Sequence, residues 1–197
     1  MCLLILSTNL FLRRQMMEEL VYTLLDEEVT DFKCGNNSID RMIKDSYFQT
    51  LLKHGYAYKF CSRDKTLGYY MVNFEKIKLS ECEKAIDECY DEGMKNFYSV
   101  HIRFIAVDSK YQKHKIGETM LNIIVKDIRE LSGKWPVRMI TLDALRDKYD
   151  WYIKNGFLPF NENDYYDDKI NTIKMYIDCQ TSYNIDKLNE YISERGD

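Results

Sequence analysis

A strand, a basic turn and an amphipathic helix follow one another in the middle of the chain, and this order constrains the fold most. Residues 100–107 are β-branched and apolar with His101 and Arg103 interleaved, which predicts a half-buried or central strand. Beyond a polar turn, apolar residues recur at three- and four-residue spacing and predict one apolar helix face: Met120, Leu121, Ile124, Val125 and Ile128. The unit is strand, loop and helix.

The start of this predicted helix is suited to binding an anion. The first turn of a helix leaves about four backbone N–H groups without intrahelical partners and carries the positive end of the helix dipole. Lys113, His114 and Lys115 add cationic charge beside it. The segment therefore predicts a site for phosphate oxygens.

The charge distribution agrees with this site but does not require it. The net charge of −4 gives no general attraction to nucleic acid or to an anionic membrane. Residues 101–160 carry 11 Lys and Arg against 7 Asp and Glu, whereas residues 161–197 carry 4 against 9. The basic excess coincides with the predicted phosphate site, and a solvated surface with a local fluctuation of charge explains it equally well.

Length and cysteine content narrow the class of protein. A chain of 197 residues suits one domain with a core of its own. The six cysteines form no C-x-x-C pair and no zinc-type spacing with histidine, so we expect no metal site and reduced, mostly buried thiols in a cytoplasmic protein. The apolar N-terminal run is too short to cross a bilayer and precedes Arg13 and Arg14, so we expect no membrane anchor.

Turn residues and periodicity predict the remaining elements. A helix begins after Gly35, with Asn37 or Ser38 as its cap, and another ends at Gly156. The predicted strands are 20–25, 54–61, 68–77 and 137–142, and the further helices are 78–97 and 143–155.

The central unit resembles the acetyl-CoA signature of the GNAT superfamily of N-acetyltransferases, whose loop reads Gln/Arg-x-x-Gly-x-Gly/Ala. Gln112 and Gly117 match the first and last positions, and Lys115 replaces the middle glycine. Three outcomes stay open for this lysine: a negative φ that tolerates it, a direct contact of its ammonium group with phosphate, or a weakened cofactor site.

Two other segments carry the same resemblance. Phe32, Cys34 and Gly35, followed by Ile39-Asp40, resemble a Phe-x-Cys-Gly-x-x-x-Leu-Asp motif of the GNAT subgroup that includes toxins acetylating aminoacyl-tRNA. Residues 151–159, Trp-Tyr-Ile-Lys-Asn-Gly-Phe-Leu-Pro, resemble the second GNAT block. The three segments occur in the family's order.

The resemblance implies an α/β (α+β) GNAT fold, with a mixed, mostly antiparallel central sheet that is splayed between two central strands and flanked by helices on both faces. Residues 17–178 would form the acetyltransferase domain, and residues 179–197 a C-terminal helical tail. The helix within 78–97 would lie over the acceptor cleft. Residues 1–16 are an N-terminal extension, either an extra strand or helix or a translated upstream segment.

The resemblance also implies acetyl-CoA as the cofactor, held by the strand backbone and the loop: Ile105, Val107, Gln112, Lys113, His114, Lys115, Ile116 and Gly117. Tyr152 would be the catalytic residue beside the cofactor sulfur. A phenol with a pKa near 10 is protonated at neutral pH and can donate to a departing thiolate. His101 is either a base for the substrate ammonium group or a hydrogen-bonded strand residue, and water is the alternative base.

The function implied is acetyl transfer from acetyl-CoA to a primary amine. The α-amino group of aminoacyl-tRNA is one candidate acceptor, which would make the chain a toxin with an antitoxin partner, although the acidic residues 161–169 would repel RNA near the cleft. The alternative is a non-catalytic GNAT-fold interaction module with a weakened coenzyme A site. A homodimer stays open. A generic nucleotide-binding protein is disfavoured, because the chain has no Rossmann glycine fingerprint and no P-loop.

Overall fold

The computed structural model describes residues 20–63, 65–78, 80 and 95–195, which form seven strands and four helices. The strands are β1 Leu20–Leu24, β2 Tyr56–Ser62, β3 Lys65–Lys78, β4 Asn96–Val107, β5 Met139–Leu145, β6 Leu158–Pro159 and β7 Thr172–Asp178. The helices are α1 Asn37–Leu51, α2 Ile116–Ser132, α3 Tyr149–Lys154 and α4 Ser182–Arg195. The predicted α/β class is confirmed.

The strands are hydrogen-bonded in the order β1-β2-β3-β4-β5-β7-β6. Strands β1 and β2, β2 and β3, β5 and β7, and β6 and β7 pair antiparallel, in agreement with the predicted mostly antiparallel sheet. The chain divides into two compact units, which we describe separately. Of the described residues, the first unit comprises those within 20–73 and 102–124, and the second comprises those within 74–101 and 125–195.

The first unit is built on the apolar face of α1. The Asn36 side chain accepts hydrogen bonds from the N–H groups of Ser38 and Ile39, so the N-cap is Asn36 and not Asn37 or Ser38 as predicted. Ile43 of α1 is buried in a cluster with residues of the preceding loop and of strands β2, β3 and β4: Leu25, Val29, Phe32, Ala57, Tyr69, Met71, Phe104 and Ala106.

Strands β3 and β4 approach each other closely at Gly68. A Cβ atom at this position would lie 2.2 Å from the carbonyl oxygen of Ala106 and 3.1 Å from the Met120 sulfur. No side chain fits there, so glycine is required at this point of β3. The contact fixes the strand that leads into the predicted phosphate loop.

The second unit is organised around the pairing of β5 with β7, which runs from Met139 opposite Asp178 to Leu145 opposite Thr172. Ile77, Phe97, Met139 and Tyr176 form its buried cluster, with Phe160 packed against it.

The predicted helix over 143–155 is wrong at its beginning. Asp143, Ala144 and Leu145 continue β5, because each pairs with a residue of β7. A 3-10 turn, Arg146–Lys148, follows, and α3 begins only at Tyr149. The predicted end is confirmed, since Gly156 has a φ of +86°, which favours glycine.

Several predictions fall on undescribed residues. The extension 1–16 lies outside the described part of the chain, as does most of the helix predicted within 78–97. Cys34, Cys61 and Cys179 are free thiols and are only partly buried, in contrast to the expectation of mostly buried cysteines. No helix in the described ranges has the length and apolar character needed to cross a membrane.

Candidate functional site

Strand β4 presents one buried face and one accessible face. Its even-numbered positions from Val100 to Ala106 are at most 5% exposed, whereas its odd-numbered positions 101 to 107 are exposed or partly buried. The alternation follows from the two-residue period of a strand. The side chains of Ile105 and Val107 therefore lie on the accessible face of β4.

Strand β4 ends in a turn that is fixed by backbone hydrogen bonds. The N–H group of Asp108 donates to the carbonyl oxygen of Leu67 at 2.9 Å, and the Asp108 carboxylate accepts from the N–H group of Lys110 at 2.9 Å. The latter bond caps a short 3-10 turn, Ser109–Tyr111. The chain is thus held rigidly up to Gln112.

Gln112 connects the two sequence motifs of the first unit. Its side-chain Nε2 donates to the carbonyl oxygen of Val107 at 3.0 Å and to that of Cys34 at 2.7 Å. A backbone bond from Ser109 to the carbonyl oxygen of Lys33, 2.9 Å long, runs alongside. The segment that carries the Phe-x-Cys-Gly pattern therefore packs directly against the predicted cofactor loop.

Lys113 and Lys115 both have left-handed backbone conformations, with φ angles of +65° and +61°. The negative φ that would make Lys115 easy to tolerate is therefore not the one adopted. This conformation costs an L-residue about 1–2 kcal/mol. The loop nevertheless keeps a shape that favours glycine, and both lysine side chains are exposed to solvent.

The loop leads directly into the first turn of α2. Ile116 is 3% exposed, so only its backbone remains for a ligand. The N–H groups of Ile116, Gly117 and Glu118 lie in the first turn, where helix geometry provides no acceptor, and the N–H group of Thr119 donates to the carbonyl oxygen of Lys115 at 3.1 Å. In the loop that precedes this turn, Nδ1 of His114 lies 2.7 Å from the carbonyl oxygen of Gln112.

Tyr152 lies on α3 in the second unit, where its ring meets the edges of its aromatic neighbours. The centroid distances are 4.8 Å to Trp151 and 5.5 Å to Phe157. Burial raises the pKa of the Tyr152 phenol well above its ordinary value, so the group stays protonated throughout the neutral range. Within the described residues, the Tyr152 hydroxyl makes no hydrogen bond. It is chemically able to act as a proton donor.

The thiol of Cys34 is not prepared for nucleophilic chemistry. Burial, together with a hydrogen bond to Asp40, raises the pKa of this thiol to about 11. The thiol is therefore protonated at neutral pH, and the thiolate is the nucleophilic form. The contact between Gln112 and the Cys34 carbonyl oxygen therefore holds the loop in place and does not involve the thiol.

A polar network around His101 in the second unit was not predicted from the sequence. The His101 Nδ1 lies 3.1 Å from the Thr141 hydroxyl, which donates to Oε2 of Glu75 at 3.0 Å. The ammonium group of Lys174 donates to Oε1 of the same carboxylate at 2.9 Å. The sequence singled out His101, but the rest of the network comes from β3, β5 and β7, and no local pattern connects these residues.

Glu75 is ionised in this network. Burial on its own would raise the pKa of the Glu75 carboxyl, but the hydrogen bond and charge of Lys174, the charge of His101 and the Thr141 hydroxyl together lower that pKa below its ordinary value. The carboxylate is thus an acceptor of hydrogen bonds only.

Comparison with known proteins identified similar structures but no similar sequences. No protein-family model matches the chain, and no curated protein matches its sequence. The structure of AtaTR bound with AcCoA has a TM-score of 0.66 and 20% identity, covering 83% of this chain and 95% of that one. AtaT complexed with acetyl-methionyl-tRNAfMet has a TM-score of 0.65 and 19% identity, covering 81% and 95%. A tyrosine-to-phenylalanine mutant of KacT has a TM-score of 0.65 and 17% identity, covering 88% and 99%.

These similarities define the fold of the chain. The matches span nearly the whole of each compared protein, and the identities are low enough that only the architecture is shared. The chain therefore has the GNAT fold that the sequence motifs predicted. The similarities do not assign roles to particular residues of the site, and those roles must be argued from the geometry of the site.

Proposed function

We propose that the chain is an acetyl-CoA-dependent N-acetyltransferase that transfers an acetyl group to a primary amine. The observation that carries this proposal is the turn 112–117. Its two left-handed lysines give the backbone a shape that favours glycine, immediately before the first turn of α2, whose N–H groups have no acceptor within the helix. Such a turn is suited to a diphosphate, because the N–H groups and the lysine ammonium groups present positive charge together.

The residues present fit coenzyme A. The loop from Gln112 to Gly117 would hold the diphosphate, and the backbone of Ile105 and Val107 would hydrogen-bond the amides of the pantetheine arm as an added strand does. Acetyl-CoA would supply an acetyl group activated as a thioester. AtaTR has been crystallised bound with AcCoA and has the same fold, which supports the assignment.

Tyr152 would hold the proton that the departing sulfur needs. A thiol has a pKa near 8.5 and a phenol near 10, so a phenol is the weaker acid of the two. It protonates the departing sulfur when it lies beside that sulfur and donates its proton as the bond from the acetyl carbon to sulfur breaks. Burial keeps the Tyr152 proton in place until then. The role of general acid therefore falls to Tyr152.

The acceptor we favour is the α-amino group of an aminoacyl-tRNA, which would make the chain a cytoplasmic toxin controlled by an antitoxin. AtaT complexed with acetyl-methionyl-tRNAfMet, and AtaT bound to the C-terminus of the antitoxin AtaR, support this choice. The acidic segment 161–169 opposes it, because Glu162, Asp164, Asp167 and Asp168 would repel RNA phosphates.

A test of the general acid compares two tyrosines of the same helix. Tyr152→Phe is expected to lower acetyl transfer from acetyl-CoA to methionyl-tRNA by about 100-fold, because general acid catalysis contributes a factor of this order. Tyr149→Phe removes the same hydroxyl three residues earlier and is expected to leave the rate within about twofold of the wild type.

The result also separates the enzyme from the non-catalytic alternative, which the strained Lys115 favours. An interaction module would give no transfer in wild type or in either variant, with methionyl-tRNA or with simple amines. Equal rates for wild type and Tyr152→Phe would remove Tyr152 from catalysis. Growth arrest on expression of the wild type, relieved by Tyr152→Phe, is the outcome expected of a toxin.

A further inference from the structure

Arg146, the first residue after β5, holds a segment that lies distant from it in the chain. Its Nη1 donates to the carbonyl oxygen of Tyr165, and its Nη2 donates to those of Asp167 and Ile170, the last at 2.8 Å. A guanidinium group carries five N–H donors in one rigid plane, so it can bind several carbonyl groups at once. One side chain therefore binds three backbone oxygens of the segment between β6 and β7.

This segment, residues 161–171, has little regular structure of its own. It contains a 3-10 turn, Glu162–Tyr165, which the Asn161 side chain caps by accepting from the N–H group of Asn163 at 3.1 Å. Apart from those of Arg146, its hydrogen bonds to described residues join positions at most three apart. Arg146 thus connects the segment by hydrogen bonds to the rest of the second unit.

The segment also packs against α3 through the ring of Tyr165. The centroid of this ring lies 4.5 Å from that of Tyr149, the first residue of α3, with 31° between the ring planes. The guanidinium carbon of Arg146 lies 6.0 Å from the Tyr165 centroid, which adds a cation–π contact. Burial, followed by the charge of Glu162, raises the pKa of the Tyr149 phenol. Segment 161–171 therefore lies against the beginning of α3.

The beginning of α3 depends on this packing more than its end does. The helix has six residues, and a helix this short is not stable without tertiary contacts. Its N-cap, Lys148, provides no side-chain hydrogen bond. Beyond the other end, Phe157 is fully buried, and its N–H group donates to the carbonyl oxygen of Tyr152 at 3.1 Å. The orientation of the first turn therefore depends on Tyr165.

Tyr152 follows Tyr149 by one turn of this helix. Residues three apart on a helix lie on the same side, so a tilt of the first turn displaces both phenol rings. A general acid has to lie about 3 Å from the atom that it protonates. A displacement of about 1 Å can reduce a rate by about 100-fold. The role of acid therefore requires that α3 be placed accurately.

We propose that Arg146 is a positioning residue for Tyr152. By anchoring segment 161–171, it holds the ring of Tyr165 against Tyr149, and this contact fixes the angle at which α3 presents the Tyr152 hydroxyl to the departing sulfur. The proposal rests on the acetyl transfer proposed above and adds to it a residue that acts only through Tyr152.

Two variants break this connection at different points. Arg146→Met keeps the aliphatic stem and removes every donor, whereas Tyr165→Leu keeps the backbone carbonyl group and removes the ring. Tyr165→Leu supplies the result if the loss of Arg146 prevents folding. Tyr165→Phe retains the ring and is the conservative control. Arg138→Met is the control for stability, because it breaks another arginine contact of the second unit, the pair of hydrogen bonds to Asp178 at 2.9 and 2.8 Å.

NMR of the full chain with tyrosine labelled at ¹³Cζ tests the geometry, with the Tyr152 signal assigned through Tyr152→Phe. In the wild type, burial raises the pKa of the Tyr152 phenol above its ordinary value near 10, so its signal should not titrate up to about pH 10.5. Arg146→Met and Tyr165→Leu should expose the phenol, and its signal should then titrate in that range. The two control variants should behave as the wild type. A Tyr152 signal that stays unchanged in both Arg146→Met and Tyr165→Leu would overturn the proposal.

The kinetics of acetyl transfer to methionyl-tRNA separate positioning from a general loss of structure. Arg146→Met should reduce kcat at least about tenfold with little change in KM for acetyl-CoA, because a misplaced acid affects the chemical step. In a Tyr152→Phe background, the same substitution should change kcat by less than about twofold, since the group that Arg146 positions is already absent. A reduction of equal size in both backgrounds would indicate a purely structural role for Arg146 and would overturn the proposal.

The two measurements distinguish this proposal from the proposed function. Full activity of Arg146→Met would remove the role of Arg146 and leave the acetyltransferase intact. No transfer by the wild type, together with a Tyr152 signal that responds to Arg146→Met, would remove the enzyme and leave the anchoring of α3 by Arg146.

Discussion

At the scale of single residues, Lys113 and Lys115 combine a left-handed backbone, which favours glycine, with a long charged side chain. Both positions have φ angles that favour glycine, and both carry a lysine. The two lysines place exposed ammonium groups at the beginning of α2, where they add to the positive end of the helix dipole. The same conformation strains the backbone, and this strain can be measured as a loss of folding stability.

Lys115→Gly is therefore expected to stabilise the protein by about 1 kcal/mol, because glycine adopts a positive φ without the steric penalty. In a chain of this size, this corresponds to an increase in Tm of about 2–4 °C, measured by calorimetry or circular dichroism.

The control is Lys110→Gly, in the same turn but without a positive φ. It should destabilise the protein slightly, since glycine gains entropy in the unfolded chain. A fall in Tm for Lys115→Gly as large as that for Lys110→Gly would contradict the strain at Lys115.

A second prediction at this scale concerns the carboxylate of Glu75. Its pKa is lowered from the ordinary value of 4.5 in the folded state. A lowered folded-state pKa contributes stability that is present above the unfolded pKa and is lost as the pH falls through the folded one. Glu75→Gln should therefore lower Tm at pH 7, and its difference from the wild type should shrink below about pH 4.

Glu27→Gln is the control for this pH dependence. Glu27 also pairs with a lysine, Lys59, but its side chain is 71% exposed, and an exposed pair contributes only about 0–1 kcal/mol. A Glu75→Gln difference that does not shrink as the pH falls well below 4.5 would exclude the pairing of Glu75 with Lys174 as its cause.

At the scale of elements, local sequence patterns correctly predicted those features of strands and helices that depend on interactions within one segment. The alternation along β4, the three- and four-residue spacing of α2 and the glycine at the end of α3 all lie within one segment of chain, and all were confirmed. The helix predicted to start at Asp143 failed because pairing with β7, some thirty residues away, keeps Asp143–Leu145 in a strand.

The candidate site was likewise predictable only where its residues are contiguous in the sequence. The loop 112–117 is contiguous, so its motif could be read directly from the sequence. The other members of the network around His101 lie 26, 40, 42 and 73 positions from it in the chain, at Glu75, Thr141, Asp143 and Lys174, and only the fold assembles them. The contact of Gln112 with Cys34 likewise depends on a bond across 78 residues.

The close approach of β3 and β4 gives a prediction for these elements. Gly68→Ala should destabilise the protein by about 3 kcal/mol or prevent folding, because the new Cβ would overlap the Ala106 carbonyl oxygen and the backbone of one strand must move. Gly133→Ala is the matched control. Its Cβ would lie at an ordinary contact distance of 3.5 Å from the Glu130 carbonyl oxygen.

Urea denaturation of both variants measures the difference. The Gly133→Ala variant is expected within about 1 kcal/mol of the wild type. If Gly68→Ala were equally stable, β3 and β4 would not approach each other as closely as the structure places them, and the position of β4 would be in doubt.

At the scale of the whole molecule, the net charge of −4 conceals an uneven distribution. Residues 101–160 hold the basic excess, and residues 161–197 the acidic one. Arg146 donates hydrogen bonds to the carbonyl oxygens of Tyr165, Asp167 and Ile170, so part of the acidic segment is fixed in place by a basic side chain.

The central claim concerns the intact chain and its cofactor, and isothermal titration calorimetry with acetyl-CoA tests it most directly. We predict saturable binding with one site per chain, and a loss of affinity in Gln112→Ala, because that variant releases the loop from both Val107 and Cys34. At acetyl-CoA concentrations about 100 times the Kd, binding should stabilise the fold by about 2.7 kcal/mol. Folded protein that takes up no acetyl-CoA at millimolar concentration would contradict the acetyltransferase assignment.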